Sequence, residues 1–363
     1  MSVQASKGLV VVAGGGTGGH IYPGIAVARA LQNRGYRVEW VGARGGLEEK
    51  IVTREGLPLH LINIGKLHAS AGLAARVKTL FGLPLAFLQA LLLCWRLKPL
   101  AVLGVGGFAS GPFMFVAALL RRRTVIWEPN AHVGMANRLL SSVVDECLLV
   151  FEEAASGFRS SRVTRVGLPV RESIRPAERA PLVGRKLRVL VFGGSQGARP
   201  INKVVQAAVE AGGAWLEGVE LVHQTGRYDF QDVKAAYDRL QHPNVSCFEY
   251  LHDMDARYAW ADVVVCRSGA STVAEIAAAA KAAIFIPLPT AADDHQLKNA
   301  RVLERAGAAR VIEQKHFTPE LFSSTMLQFQ NDASAIEQLG KLARPFAVPG
   351  AADVIATRVI GEN

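Results

Sequence analysis

A glycine-rich turn that directly follows an apolar run occurs twice in this chain of 363 residues. The first turn, residues 14–20, reads GGGTGGH and follows the apolar residues 9–13. The second turn, residues 193–199, reads GGSQGAR and follows residues 187–192. A buried strand that leads through such a turn into a helix lets backbone N–H groups approach an anion closely. Two copies predict two nucleotide-binding-type halves with a cleft between them.

Composition limits the class of protein. Half of the residues are hydrophobic and a fifth are charged, so each half can form a buried core. The net charge of +10 favours an anionic partner, either nucleic acid, a phosphorylated substrate or an acidic lipid surface, although solubility alone would also explain it. The four cysteines form no CxxC pair, which argues against a zinc site or a disulfide framework and fits a reducing cytosol.

Strand-like apolar runs alternate with helical segments in both halves, which predicts parallel βαβ units and an α/β fold. In the first half the predicted strands are residues 8–13, 37–42, 101–105 and 124–127. In the second half they are residues 187–192, 219–224, 245–248, 262–266 and 283–287. Helices are predicted at residues 25–34, 201–211 and 273–280 and, with breaks at the prolines, over 335–360.

A stretch with three prolines, several charges and little periodicity, residues 168–184, is predicted to link two domains. We therefore expect an N-terminal domain at residues 1–167 and a C-terminal domain at residues 185–345. The last residues, 346–363, are expected to form a helix that packs back on the first domain.

Gly14, Gly16 and Gly19 match the GxGxxG pattern of dinucleotide-binding folds, which is a weak signal when it stands alone. NAD binding also needs an acidic residue at the end of the second strand, but residues 41–45 read VGARG. Arg44 would suit the 2′-phosphate of NADP, so a nicotinamide enzyme stays open as an alternative. A P-loop NTPase and a GxSxG esterase are excluded because neither motif occurs.

A third glycine cluster, residues 104–112 (GVGGFASGP), also follows a predicted strand and would lie at the same edge of the first sheet. Phosphate binding explains three such loops better than packing alone. His20 stands where the first loop enters its helix. Because a helix N-terminus disfavours a protonated imidazole, His20 would be neutral and able to accept a proton. A capping or packing histidine is the alternative.

Residues 266–275 (CRSGASTVAE) follow a strand and open a helix. Ser271 or Thr272 would cap this helix, and Glu275, on its first turn, would accept hydrogen bonds from paired ribose hydroxyls. The polar residues 293–299 then suggest either a sugar-binding loop or a solvated turn. Asp293 and Asp294 are adjacent rather than spaced for chelation, so no essential metal is expected.

In this order, the motifs resemble those of the MurG family of bacterial peptidoglycan glycosyltransferases over almost the whole chain. The matching segments are residues 15–20, 106–107 with 110–112, 193–199 and 266–275. The resemblance implies the GT-B architecture, in which two Rossmann-like domains with parallel sheets face a deep cleft. It also implies inverting transfer of N-acetylglucosamine from UDP-GlcNAc to the muramyl 4-hydroxyl of lipid I, which yields lipid II with neither a metal nor a cofactor.

The resemblance assigns the donor to the C-terminal half and lipid I to the N-terminal half. Glu275 would bind the ribose and Leu251 would lie beside the uracil. Ser195, with the backbone of Gly194, would meet the diphosphate, and Gln296 would contact the transferred sugar. The other implied substrate-binding residues are Ala270, Ser271, Thr272, Val273 and Ala274 at the donor wall, Arg171 from the linker, and Thr17, Gly18, Gly19 and Asn130 around the sugar.

For the chemistry, the hypothesis takes His20 as the general base and Glu128 as the reserve candidate. The chain departs from the family pattern in three places. Phe108 stands where the family usually has tyrosine, and Leu168 replaces a common asparagine. Residues 127–130 read WEPN where the family often has His-Glu-Gln-Asn, so that Pro129 changes the local turn while Asn130 is kept.

Residues 73–95 mix apolar and basic side chains, which favours shallow insertion beside acidic lipid headgroups, although a helix packed under a sheet would look similar. The apolar part is too short to span a bilayer. Arg121, Arg122 and Arg123 either extend a basic face or form a solvated turn. The family implies a peripheral protein on the cytoplasmic face of the bacterial inner membrane. Its expected partners are UDP-GlcNAc, lipid I, the anionic membrane surface and proteins of cell-wall synthesis, and not nucleic acid.

Three other functions remain as alternatives. These are a GT-B enzyme with a different sugar or lipid acceptor, a UDP-sugar epimerase of the same architecture, and a nucleotide-binding module without catalysis. An intact set of His20, Glu275 and Gln296 argues against the last of these.

Overall fold

The structure is a computed structural model that describes residues 6–64, 73–107, 109–160, 162–177, 181–182 and 184–362. The chain divides into two compact units. Unit 1 comprises Met1–Pro169 with Val348–Asn363, and unit 2 comprises Val170–Ala347. The departure at Phe108 lies outside the described residues.

Within the described residues, unit 1 contains a seven-stranded parallel sheet with the strand order β3-β2-β1-β4-β5-β6-β7. The strands are β1 (Leu9–Gly14), β2 (Arg37–Ala43), β3 (Leu59–Ile62), β4 (Ala101–Gly106), β5 (Arg123–Glu128), β6 (Glu146–Leu149) and β7 (Val163–Arg165). All six residues of β1 and all six of β4 are buried. Continuous apolar runs of this kind are typical of parallel strands covered by helices on both faces.

The helices of unit 1 connect these strands. They are α1 (Gly18–Asn33), α2 (Leu47–Arg54), α3 (Leu73–Leu97), α4 (Ser110–Leu119) and α5 (Met135–Leu140). The core lies between the sheet and the helices and includes Val11, Phe113 and Ile126, which have no exposed surface. Among the described residues, none of the helices combines the length and the hydropathy needed to span a lipid bilayer.

In the described part of unit 2, a second parallel sheet has six strands in the order β10-β9-β8-β11-β12-β13. The strands are β8 (Leu187–Phe192), β9 (Val219–Gln224), β10 (Val245–Phe248), β11 (Val263–Cys266), β12 (Ala282–Phe285) and β13 (Arg310–Val311). The helices are α6 (Arg199–Ala211), α7 (Ala214–Glu217), α8 (Phe230–Leu240), α9 (Met254–Trp260), α10 (Ala270–Ala279), α11 (His295–Arg305), α12 (Pro319–Asn331) and α13 (Ala333–Ala343).

The chain then returns to unit 1 as helix α14 (Ala351–Ile360). Arg34, after α1, donates from its two guanidinium nitrogens to the Thr357 hydroxyl at 2.6 Å and to the Asp353 carbonyl at 3.0 Å. Arg123 donates to the Arg358 carbonyl at 2.7 Å. Two arginines of unit 1 thus hold the helix that ends the chain.

The α/β class with two parallel Rossmann-like sheets is confirmed, and so are all nine predicted strands, to within two residues at each end. The strands that the sequence did not predict are β3, β6, β7 and β13. They are only two to four residues long, and apart from β6 they are largely half-buried, so none carries a long apolar run. The alternating pattern that identifies a strand needs a longer segment.

Candidate active site

Each glycine turn lies at the switch point of its sheet. At this point the chain stops adding strands on one side of the first strand and begins to add them on the other side. In unit 1 this point lies between β1 and β4, and in unit 2 between β8 and β11. The carboxyl ends of the two strands at such a point leave a crevice, which is where ligands bind in open parallel sheets. Each unit therefore has a candidate ligand site of its own.

The turn after β1 packs directly against the turn after β4. The N–H of Gly15 donates to the carbonyl of Gly106 at 3.0 Å. A Cβ atom at Gly14 would lie 2.1 Å from this carbonyl oxygen, and one at Gly107 would lie 2.6 Å from the carbonyl oxygen of Gly15. The close approach leaves no room for side chains, and it joins the first and third glycine clusters at one edge of the sheet.

His20 is the third residue of α1 and is partly exposed. Its Nδ1 lies 3.2 Å from the carbonyl oxygen of Gly15. A carbonyl oxygen only accepts hydrogen bonds, so Nδ1 carries the proton and the neutral ring has its lone pair on Nε2. Thr17 is the exposed residue before the helix, and Gly18 and Gly19 are its first two residues.

Glu48, in α2, is a site residue that the sequence analysis missed. Its side chain is buried, with 1% of the residue exposed. Oε2 accepts the N–H of Gly16 at 2.9 Å, and Oε1 accepts the N–H of Ala43 at 2.9 Å. This carboxylate therefore joins the turn after β1 to the turn after β2. No motif marks it, and the only signal is a glutamate in the first turn of a helix that follows a glycine-containing loop.

Glu128, at the end of β5, is buried and both of its carboxylate oxygens are engaged. Oε1 accepts the backbone N–H and the side-chain amide of Asn130, each at 3.1 Å. Oε2 accepts the N–H of Gly134 and the amide of Asn137, each at 3.0 Å. Glu128 thus shapes the loop after β5 and orients Asn130. Of the two candidate bases, the geometry favours His20.

Pro129 and Leu168, two residues that differ from the family pattern, are both buried. Pro129 is buried directly after Glu128. Leu168 has 3% of its surface exposed. It therefore packs as an apolar side chain in unit 1, at a position where the family commonly has an asparagine.

The second glycine turn, after β8, packs against the loop after β9. A Cβ atom at Gly197 would lie 1.8 Å from the carbonyl oxygen of Thr225, and the amide of Gln224 donates to the carbonyl of Gly194 at 3.1 Å. Asn202, at the start of α6, donates to the same Thr225 carbonyl at 2.8 Å. Ser195 is exposed at the tip of the turn, where a ligand can reach it.

The buried side chain of His223 contacts Asn202, which in turn holds the loop after β9. Nε2 of His223 lies 3.2 Å from Oδ1 of Asn202, and Nδ1 lies 3.0 Å from the hydroxyl of Tyr237. Burial lowers the pKa of His223 to about 3, so its imidazole is neutral. His223 therefore acts in the core of unit 2 and orients Asn202 beneath the turn.

Glu275 lies on α10, facing Tyr258, whose hydroxyl donates to Oε2 at 2.9 Å. Burial raises the pKa of Glu275, while the Tyr258 hydrogen bond and the charge of Arg171 lower it. Arg171 itself is exposed, and Leu251, after β10, is buried with 4% exposure. One carboxylate oxygen is thus oriented by the protein, and this leaves a carboxylate suited to receive ligand hydroxyls.

Two details predicted for α10 were wrong. The N-cap is Gly269, in an extended conformation, so Ser271 and Thr272 lie inside the helix and do not cap it. Glu275 is the sixth helical residue and lies in the second turn rather than the first. The cause is the same in both cases, because the helix begins at Ala270, three residues before the predicted start. Ala270, Val273 and Ala274 are buried, while Ser271 and Thr272 are half-exposed.

Gln296 has a structural hydrogen bond as well as a predicted ligand role. Its Oε1 accepts the N–H of Leu288 at 3.1 Å, and its carbonyl accepts the hydroxyl of Ser268 at 2.8 Å. The buried Arg267 donates to the carbonyls of Ile286 and Pro287 at 2.9 and 3.0 Å. These bonds hold the loop after β12 beside the N-terminus of α10.

The predicted site residues therefore form two sets. Within unit 1 they lie in the turn and helix after β1, at the end of β5 and in the loop that follows β5. Within unit 2 they lie in the turn after β8, after β10, in α10 and at the start of α11, and Arg171 precedes β8. Across the described ranges, no three His, Cys, Asp or Glu side chains gather as a metal site would require.

Comparison with known families identifies both halves. The glycosyltransferase family 28 N-terminal domain matches residues 10–149, and the C-terminal domain of the same family matches residues 188–354. The matched residues include both glycine turns, His20, Glu128 and Glu275.

Curated relatives match nearly full length. A Bdellovibrio bacteriovorus protein named UDP-N-acetylglucosamine--N-acetylmuramyl-(pentapeptide) pyrophosphoryl-undecaprenol N-acetylglucosamine transferase is 46% identical over 97% of this chain and 98% of its own. A Myxococcus xanthus protein of the same name is 40% identical over 95% and 91%. The crystal structure of Acinetobacter baumannii MurG is similar with a TM-score of 0.82 at 30% identity, covering 97% of this chain and 99% of its own.

The fold extends beyond these relatives. A UDP-GlcNAc 2-epimerase from Neisseria meningitidis, bound to UDP-GlcNAc, has a TM-score of 0.63 at 12% identity and covers 98% of this chain and all of its own. At this identity the likeness shows a shared fold alone.

We predict that Gly197→Ala lowers the free energy of unfolding of unit 2 through two costs, the strain of the positive φ and a steric clash of the new Cβ. The added Cβ would meet the Thr225 carbonyl oxygen at 1.8 Å, and relief of such a clash costs about 1–3 kcal/mol. The matched control is Gly184→Ala, which has a similar φ of +78° but open space around the Cβ, and it costs about 1–2 kcal/mol. Denaturant unfolding measures both, and equal losses for the two variants would contradict the packing of the turn.

Proposed function

The chain belongs to the MurG transferases of glycosyltransferase family 28, and from this membership we propose that it moves N-acetylglucosamine from UDP-GlcNAc to lipid I. Lipid I is undecaprenyl-pyrophosphoryl-N-acetylmuramyl pentapeptide, and the product is lipid II, the precursor of peptidoglycan. The observation that carries the proposal is the match to transferases of this name over nearly the whole chain. We assign one substrate to each of the two switch-point sites.

Unit 2 is the proposed donor site. Glu275, oriented by Tyr258, accepts hydrogen bonds from the ribose hydroxyls, and Leu251 lies beside the uracil. The exposed Ser195 and the backbone of Gly194 bind the diphosphate together with the N-terminus of α10. The remaining contacts are assigned to Gln296 at the sugar, Arg171 at the nucleotide, and Ala270, Ser271, Thr272, Val273 and Ala274 along the wall.

Unit 1 is the proposed site of the acceptor and of the base. Thr17, Gly18, Gly19 and Asn130 lie on the carboxyl side of its sheet, where they border the sugar. The muramyl 4-hydroxyl oxygen attacks the anomeric carbon and the bond from that carbon to the phosphate oxygen breaks, with inversion. His20 takes the hydroxyl proton at Nε2.

UDP leaves as an anion, and its growing charge has to be met by fixed dipoles and cations. In unit 2 the first turn of α10 and the turn after β8 present backbone N–H groups at the switch point, and Arg171 supplies a positive charge. Donors that are already oriented stabilise a developing charge without reorganisation. Glu128 is left out of the proton transfer because its two oxygens hold the loop after β5.

We further propose that the protein binds the cytoplasmic surface of the membrane through α3 and α4. One face of α3 packs into the core through Ala86, Ala90 and Cys94, so the core interpretation holds for that face. The opposite face exposes apolar side chains, with Trp95 70% and Leu92 58% exposed. Among the side chains of these two helices that the structure describes, the other large exposed apolar residues are Leu85, Leu88, Leu91, Phe115 and Leu119.

A groove lies between α3 and α4, and a basic pocket lies at the C-terminal end of α4. The groove, of about 240 Å³, is lined by apolar side chains of α3 and α4, including Phe87 and Phe115, whose ring centroids are 5.7 Å apart. The pocket, of about 370 Å³, is lined by Arg121, Arg122 and Arg123, with Asp145. Apolar area beside clustered arginines fits an anionic lipid surface, where acyl chains and phosphates occur together.

His20→Ala is expected to reduce turnover by about 10²–10⁴-fold while UDP affinity stays within about twofold of the wild type, because the base is lost and the donor site is not. Transfer is measured with radiolabelled UDP-GlcNAc and a lipid I analogue. Label should enter the lipid in the wild type only when the acceptor is present.

The control for this measurement is His316→Ala, an exposed histidine of unit 2, which should transfer at the wild-type rate. Normal turnover in His20→Ala would remove His20 as the base. Conversion of the donor without any acceptor would instead favour an epimerase and overturn the proposed function.

Glu275→Ala is expected to weaken UDP-GlcNAc binding by about 10- to 100-fold, because hydrogen bonds to a charged group are each worth about 1.5–3 kcal/mol. Calorimetry measures the affinity. Glu337→Ala, an exposed glutamate on α13, is the matched control and should bind normally. An unchanged affinity in Glu275→Ala would show that the ribose lies elsewhere.

The double variant Leu92→Glu with Trp95→Glu is expected to lower binding to anionic vesicles by at least about tenfold, since each buried apolar side chain contributes about 1.5–3 kcal/mol. Vesicle co-sedimentation measures the binding. Leu240→Glu changes a similarly exposed leucine of unit 2 and should have no effect. Equal binding of the double variant and the wild type would exclude this surface as the membrane contact.

A further inference from the structure

The peptide group between Gly15 and Gly16 connects a buried carboxylate to His20. Its N–H donates to Oε2 of Glu48 at 2.9 Å, and its carbonyl oxygen lies 3.2 Å from Nδ1 of His20. Because a trans peptide is planar, its N–H and C=O point in opposite directions, and a group that fixes one end also fixes the other. Glu48 and His20 therefore lie at opposite ends of one peptide plane.

The surroundings of Glu48 are shaped to hold a carboxylate. Cβ atoms at Gly15, Gly42 and Gly46 would each lie 2.3 to 2.5 Å from atoms of the Glu48 side chain. These three glycines leave the space that the carboxylate fills, and the N–H groups of Gly16 and Ala43 bind its two oxygens. The side chain is 1% exposed, so water does not compete for these bonds.

This arrangement has an electronic consequence as well as a geometric one. An N–H bonded to a carboxylate polarises its peptide group and makes the carbonyl oxygen a stronger acceptor. The carbonyl of Gly15 then favours the imidazole tautomer with its proton on Nδ1 and its lone pair on Nε2. In serine proteases an aspartate orients the catalytic histidine directly, and here a peptide group stands between the two residues.

We propose that Glu48 is a positioning residue of the transfer reaction, acting through the Gly15–Gly16 peptide to hold His20 in the tautomer that accepts a proton at Nε2. The inference rests on the proposed role of His20 as the base. Glu48 touches neither substrate in this proposal, so it should affect the rate of the chemical step and not the binding of the donor.

The test is Glu48→Gln, which keeps the shape of the side chain but replaces one accepting oxygen with a donating NH₂. Both oxygens of Glu48 accept a backbone N–H. In the variant, the N–H of either Gly16 or Ala43 therefore faces the NH₂ of the glutamine and loses its hydrogen bond. We expect kcat to fall by about 10- to 100-fold with UDP affinity unchanged. Nitrogen-15 NMR of the neutral imidazole should show that His20 has lost its preference for the Nδ1–H tautomer.

Glu49→Gln is the matched control, one residue further along α2. Its half-exposed carboxylate accepts the N–H of Gly45 at 2.6 Å, away from the turn that carries His20. This variant should keep the wild-type kcat and the wild-type tautomer of His20.

A double-mutant cycle separates positioning from general stability. In the His20→Ala background, Glu48→Gln should change kcat by no more than about twofold, because the residue it positions is absent. An equal fall in both backgrounds, or an unchanged His20 tautomer, would overturn the role of Glu48. Normal turnover in His20→Ala alone would instead refute His20 as the base, while the tautomer measurement would still decide whether Glu48 orients it.

If Glu48→Gln does not fold, Glu48→Asp is measured in its place. It keeps the charge but withdraws the carboxylate by one methylene group, so a smaller fall in kcat and a partial loss of the Nδ1–H tautomer are expected. A folded Glu48→Asp with the wild-type kcat and tautomer would overturn the proposal.

Discussion

Close backbone contact at the carboxyl ends of the strands is the constraint on which both units depend. In unit 1 the turn after β1 meets the turn after β4, and in unit 2 the turn after β8 meets the loop after β9. At Gly14 and Gly197 a Cβ atom would lie about 2 Å from a carbonyl oxygen. Glycines at these points let helix N-termini and backbone N–H groups converge on each switch point, where both candidate sites lie.

Three carboxylates at these edges differ in which groups bind their oxygens. Glu48 and Glu128 are buried, and both oxygens of each accept hydrogen bonds from nearby backbone or amide groups. They shape the loops that carry His20 and Asn130. Glu275 is bound by Tyr258 through one oxygen, and burial raises its pKa. A carboxylate held in this way is suited to ligand hydroxyls.

Much of the fold could be predicted because its signals are local. The long apolar strands and the glycine turns appear as continuous segments. The helix after the first turn was predicted at residues 25–34, but α1 begins at Gly18. The errors occurred where the signal was weak or depended on distant residues. The start of α10 was placed too late because Gly269 caps it without a side-chain hydrogen bond. Nothing in the sequence shows that Asn137 and Gly134 donate hydrogen bonds to the second oxygen of Glu128.

The sequence by itself determined the two-unit parallel α/β fold, the family and the positions of the glycine turns, because each follows from residues adjacent along the chain. Only the tertiary structure decided that Glu48 reaches Gly16, that Gln296 also bonds Leu288, and that one face of α3 stays exposed. These contacts join segments that are separated in sequence. Their geometry depends on how strands and helices pack, and a linear pattern does not specify it.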